Sequence, residues 1–120
     1  MSPWAVILCG GSGTRMGVNQ NKTLLKCGGV PAIIRCIRAF RGLTGGIVLV
    51  VKEGEEAAFS QVLSAWQEPV FRIVPGGADR QASALCGLQA LPEDADIALI
   101  HDGARPFVTP DIIQRVLDSV

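Results

Sequence analysis

Four times in this chain a run of four or five apolar residues is followed within three residues by glycine, and between the runs the apolar residues change to helical spacing. The runs are Trp4–Leu8, Ile47–Val51, Val70–Val74 and Ile97–Ile100. Runs so short, rich in β-branched residues and bounded by glycine, read as strands rather than helices, and as buried ones where they carry no polar residue. Arg72, inside the third, suits an edge or near-edge strand. After Pro31 and before Gly42, the residues Ile33, Ile34, Ile37 and Phe40 recur at helical spacing. Phe59, Val62, Leu63 and Trp66 make the stripe of a second helix over 55–66, and 82–91 reads as a third. Thr109-Pro110-Asp111 caps a last helix, with Ile112, Ile113, Val116 and Leu117 as its buried face. Arg35, Arg38 and Arg41 fall three apart on the other face of the first helix and read as solvated. Strands alternating with helices in this way imply right-handed crossovers and an α/β, doubly wound, mostly parallel sheet covered on both sides. Ligands then gather at the carboxyl ends of the strands.

The loop after the first run is Cys9-Gly10-Gly11-Ser12-Gly13-Thr14-Arg15-Met16-Gly17, with Lys22 beyond it. Glycines let backbone N–H groups converge on an anion. Arg15 adds a planar fork and Lys22 a compact charge, a pairing suited to phosphate. A Walker loop is excluded because Asn21 precedes Lys22, and a dinucleotide fingerprint because Met16 stands where glycine is needed and no acid stands about 20 positions on. The glycines alone would serve equally for a tight turn; the two cations just after a buried strand favour phosphate binding.

Two more strand-end loops carry polar residues. After the third run comes Pro75-Gly76-Gly77-Ala78-Asp79-Arg80-Gln81-Ala82-Ser83, where Asp79 can cap the next helix and Arg80 and Ser83 share its first turn. By itself this is equally a capped helix start. After the fourth run comes His101-Asp102-Gly103-Ala104-Arg105-Pro106-Phe107. An Asp at a strand mouth can hold a hard cation such as Mg²⁺, and Asp-Gly can equally be a plain turn. His101, with no second His or nearby Cys, reads as structural.

These three loops, in this order, resemble the motifs of the nucleotidyltransferases that activate polyol phosphates, above all the 2-C-methyl-D-erythritol 4-phosphate cytidylyltransferase family. Gly10-Gly11 is nearer the ribitol-phosphate cytidylyltransferases, whereas Gly103-Ala104 between Asp102 and Arg105 matches the erythritol branch. The resemblance implies a Rossmann-like nucleotidyltransferase fold. It implies catalytic roles for Arg15 and Lys22 and nucleotide contacts from Gly10, Gly11, Ser12, Gly13, Thr14, Gly77, Ala78, Ser83 and Gly103. It further implies Mg²⁺ on Asp102, with cytosine recognised around Gly77 and Ser83 and Arg105 bracing the loops. Ala78 stands where the family often has Asp or Thr. The implied reaction is attack of a polyol phosphate on CTP with release of pyrophosphate, in isoprenoid precursor synthesis. The resemblance covers the whole chain but about the N-terminal half of a family member, so the chain reads as truncated. Family members pair as homodimers through their second half, which also helps to position the polyol phosphate. This chain alone is therefore expected to bind CTP without efficient transfer, and to self-associate through an exposed fourth strand.

Composition limits the alternatives. The 120 residues suit a single domain over 1–120, and 48% hydrophobic with 18% charged residues at zero formal net charge argues against a general nucleic-acid binder. No apolar run reaches the ~20 residues of a membrane span, and the N-terminus lacks a signal pattern, so the expected setting is cytoplasmic. Cys9, Cys27, Cys36 and Cys86 lack Cys-x-x-Cys spacing and read as reduced, mostly buried thiols. A non-catalytic nucleotide-binding module remains the rival reading, separable by pyrophosphate release. A dehydrogenase lacks its acidic ribose ligand.

Overall fold

The computed structural model describes residues 2–9, 22–105 and 108–119. Its centre is β1 (Pro3–Cys9), which pairs in parallel with β4 (Ile47–Val51) on one side and β6 (Ile97–Asp102) on the other, while β5 (Arg72–Pro75) pairs outside β4. Ala5 lies opposite Ile47 and Leu99, and Leu8 opposite Val50 and Asp102. Between β1 and β4, a small hairpin of β2 (Lys26–Cys27) and β3 (Val30–Pro31) turns at Gly28 and Gly29, whose φ of 65° and 83° are what a two-residue turn of this hand demands.

The helices explain why the strand runs are apolar without alternation. From β1 the chain passes through α1 (Ala32–Phe40) to β4 and through α2 (Glu56–Ala65) to β5. It then doubles back through α3 (Arg80–Gln89) past β1 to β6. Right-handed crossovers put helices on one face while the chain moves one way and on the other when it reverses. Accordingly α1 and α2, joined by α4 (Pro110–Asp118), pack their Ile33, Ile37, Phe59, Leu63, Ile113 and Leu117 onto Ala5, Ile7, Ile47 and Leu49. On the second face α3 meets Val6, Leu8, Val48 and Val50 through Cys86 and the following Ala90. It comes so close that a Cβ at Gly87 would collide with Val6 and stand 2.9 Å from Val50.

Several expectations change. The four apolar residues of α4 cannot all face inward. Ile113 and Leu117, one helical turn apart, are buried against the α1 layer, while Ile112 and Val116 stand a third of a turn round and are 49% and 46% exposed. Coverage of the second face is narrow among the described residues, where α3 alone supplies it and leaves its Leu85 and Leu88, and Ile100 of β6, exposed. The third strand begins at Arg72, not Val70, and lies at the sheet edge as expected. The arginine face of α1 is not simply solvated: Arg38 and Arg41 grip Glu68 at 2.9 and 2.8 Å, and Arg38 lies over the Trp66 ring. Cys9 and Cys36 are buried thiols outside any disulfide and Cys86 is a half-buried one. No helix among the described residues is long and apolar enough to cross a membrane.

Candidate functional site

Parallel register places the carboxyl ends of all four sheet strands on one rim, since Cys9 lies opposite Val51, Val51 opposite Pro75 and Leu8 opposite Asp102. A cleft of about 660 Å³ opens there, floored by Leu8 and Val51 and walled by Lys52, Glu53, Gly76 to Arg80, Ser83 and Asp102. It sits beside the point where the chain reverses direction across β1, the usual place for a ligand in such sheets.

One wall is the start of α3. Gly76 N–H donates to the Val51 carbonyl at 2.7 Å, which carries the sheet ladder one residue past β5. Asp79 then caps the helix, its Oδ1 accepting the Ala82 N–H at 2.8 Å. Ser83 Oγ accepts the Gly77 N–H at 3.2 Å, so this amide is engaged within the loop while the hydroxyl proton of Ser83 is left to donate elsewhere. A side chain at Gly77 would collide with Ala82, which accounts for glycine there. The helix N-terminus adds partial positive charge to this wall.

The opposite wall is Asp102, the last residue of β6. The turn behind it is bonded throughout: Gly103 N–H donates to the Leu8 carbonyl at 2.9 Å, Ala104 N–H to Asp102 Oδ1 at 3.0 Å, and Arg105 N–H to the Asp102 carbonyl at 3.1 Å. Gly103 is buried, and a Cβ on it would stand 3.2 Å from each of Cys9 Sγ, Ile7 Cγ2 and the Leu8 carbonyl oxygen. From below, Cys36 of α1 brings its Sγ to 3.3 Å from the Arg105 carbonyl, and His101 Nε2 lies 3.1 Å from the same oxygen. Burial, then the nearby Asp102 carboxylate, pushes the Cys36 thiol up to about 12; burial likewise raises Cys9 well above its ordinary value.

Among the described residues no group of three His, Cys, Asp or Glu could ligate a metal by itself. Asp102, a carboxylate at the end of a strand on an open cleft, suits Mg²⁺, which takes one or two carboxylates and completes its shell with phosphate oxygens and water, and does not suit zinc.

Gly77, Ala78, Ser83 and Asp102, expected from sequence, thus meet around one cleft, and Gly103 lies buried just behind it. Gly10, Gly11, Ser12, Gly13, Thr14 and Arg15 lie outside the described residues, as does the side chain of Lys22. The backbone of Lys22 opens a short 3-10 helix, Lys22–Leu24, whose Thr23 is buried. Lys52 and Glu53 join the cleft without carrying any of the three motifs; their position between the second apolar run and Gly54 is the sequence signal for them. A second groove of about 730 Å³ between α2 and β5 carries none of the three motifs.

Comparison with known proteins points to one family. The profile of the family described as IspD, 2-C-methyl-D-erythritol 4-phosphate cytidylyltransferase, matches residues 4–120. A relative of that name from Geobacillus thermodenitrificans (strain NG80-2) is 43% identical over 118 residues, which is 96% of this chain and 51% of the relative. The chain spans about half the length of the curated relatives it matches. Among solved structures, the 4-diphosphocytidyl-2C-methyl-D-erythritol synthase of Anaerococcus prevotii DSM 20548 has the same fold, with a TM-score of 0.81 at 23% identity over 98% of this chain and 50% of that one. A nucleotidyl transferase from Methanothermobacter thermautotroptrophicus gives a TM-score of 0.76 at 25% identity over 98% of this chain and 57% of its own. Since the profile match runs through both walls of the cleft, the chain belongs to the 2-C-methyl-D-erythritol 4-phosphate cytidylyltransferase family.

Proposed function

We propose that this chain carries the nucleotide-binding part of a cytidylyltransferase site, which transfers CMP from CTP to 2-C-methyl-D-erythritol 4-phosphate and releases pyrophosphate. The observation that carries the reading is the meeting of Ser83 and Asp102 on opposite walls of one cleft at the strand ends. Ser83, with its hydroxyl proton uncommitted to Gly77, is placed to read a polar base edge, and such edges reject a base with the wrong donors. Lys52, Arg15, Lys22 and the N–H groups of Gly10 to Gly13 supply fixed positive charge for the triphosphate. Mg²⁺ held by Asp102 would offset charge on the phosphate oxygens. A phosphate oxygen of the acceptor attacks the α-phosphorus as its bond to the leaving pyrophosphate breaks, and no general base is required because the attacking group is already ionised. The names of the relatives support the erythritol phosphate over ribitol phosphate. A CTP-dependent reaction and zero net charge support a cytoplasmic protein without nucleic-acid partners, and the β6 edge, unpaired among the described residues, supports pairing between copies.

Calorimetric titration with CTP, UTP, ATP and GTP in the presence of Mg²⁺ tests the binding half, with CTP expected to bind best. Pyrophosphate release on adding the erythritol phosphate tests the transfer half. Equal affinity for all four nucleotides, or none for any, would overturn the reading.

A further inference from the structure

We propose that Cys36 and His101 are positioning residues that clamp the carbonyl of Arg105 and thereby hold the loop that aims Asp102. The direction of the Asp102 carboxylate depends on the turn behind it, because its Oδ1 accepts the Ala104 N–H at 3.0 Å. If that turn slackens, the N–H moves and the carboxylate is released to swing. Among the described residues the turn is held at its far end through one oxygen: the Arg105 carbonyl lies 3.3 Å from Cys36 Sγ and 3.1 Å from His101 Nε2. Cys36 Sγ also lies 3.6 Å from the Gly103 carbonyl.

Cys36 is 69 residues from Arg105 in sequence, so this tie joins α1 to the loop after β6 and is not a local turn bond. The neighbours of Cys36 that face the sheet, Ile33 and Ile37, are purely apolar and fully buried. Packing alone would be met by Ala or Val at this position; a thiol adds a proton donor beneath two loop carbonyls. Burial keeps that proton in place. His101 completes the clamp with its ring packed edge-on to Phe40 of α1, 5.5 Å between centroids; because a carbonyl only accepts, its contact with Nε2 calls for the tautomer that carries the proton there. The helix and the strand thus each send one donor to the same acceptor.

The role is separable from the cytidylyltransferase reading on which its metal consequence rests. Four variants of the chain test it: Cys36→Ala and His101→Phe remove a donor, whereas Cys36→Ser and His101→Gln keep one. The first readout, without ligand, is amide hydrogen exchange at Ala104 and Arg105. Losing one hydrogen bond should speed exchange there roughly three- to tenfold in the two donor-less variants, with β1 and β4 amides unchanged and both conservative variants protected as in the parent. The second readout is CTP affinity with and without Mg²⁺: the donor-less variants should lose roughly three- to tenfold of the gain that Mg²⁺ confers and keep Mg²⁺-free affinity. Parent-like exchange at Ala104 in both donor-less variants overturns the proposal, as does a loss of protection spread equally over β1 and β4, which would mark general packing. If Cys36→Ala does not fold, the His101 pair decides. A parent that binds no CTP rejects the cytidylyltransferase reading, and the exchange measurement still decides the clamp.

Discussion

Burial pushes the Cys36 thiol up to about 12, with the Asp102 carboxylate adding to the shift, and it raises Cys9 well above the ordinary 9.0. The consequence for stability has a definite sign. Below pH 9 folded and unfolded chains both keep these protons. Between about pH 9 and 12 the unfolded chain releases the Cys36 proton and the folded chain cannot, so stability falls as pH rises, by up to about 1.4 kcal/mol per pH unit, and Cys9 acts in the same direction. Urea midpoints measured from pH 7 to pH 11 should show this decline, and Cys36→Ser, which has no titrating thiol, should flatten it; an unchanged slope in that variant would contradict the assignment. A second residue-scale expectation concerns Lys22, one of the cations assigned to phosphate. Charge-assisted contacts contribute about 1.5–3 kcal/mol, so Lys22→Ala should weaken Mg·CTP binding about tenfold or more by calorimetry. Affinity equal to the parent would remove Lys22 from the site. The burial of Cys36 was expected from the sequence, but its tie to Arg105 was not legible there, because it depends on an element 69 residues away.

Helix α3 forms one wall of the cleft, and two features of it are open to test. Its cap, Asp79 to the Ala82 N–H, satisfies a donor that the helix itself leaves unpaired. Asp79→Ala should cost about 1 kcal/mol in urea unfolding, with Asp79→Asn retaining most of the stability. Its seat on the sheet depends on Gly87, where any side chain meets Val6 and Val50. Gly87→Val should cost about 1–3 kcal/mol through overpacking, and a larger loss would mean that α3 is pushed off the sheet altogether. The cap was readable from Asp79 and its spacing to the helical run. The close seat was not, since a glycine inside a helical pattern looks only like a weak helix former until the strand beneath it is known.

Both edges of the sheet, β5 and β6, are unpaired among the described residues, and apolar side chains lie exposed at Ile100 of β6 and at Leu85 and Leu88 of α3. An open edge beside apolar surface invites pairing with another copy. The 120-residue chain should therefore self-associate at roughly 100 µM in sedimentation velocity, and Ile100→Lys, a charge of the kind that blocks edge pairing, should shift it toward monomer. A parent that stays monomeric would contradict this. At this scale the sequence by itself determined the kind and order of the elements and the loops in which the polar residues fall. Hydrophobic period, caps and glycines are local signals, written within a few residues of where they act. Tertiary structure decided the rest. A strand apolar on both faces says nothing of its neighbours, so only packing could set the order β5-β4-β1-β6 that brings the Gly76–Ser83 loop and Asp102 to one cleft. In the same way Ile112 and Ile113 are equal as sequence, and they differ in burial because a helix presents one stripe to its neighbour and α4 has its neighbour on one side.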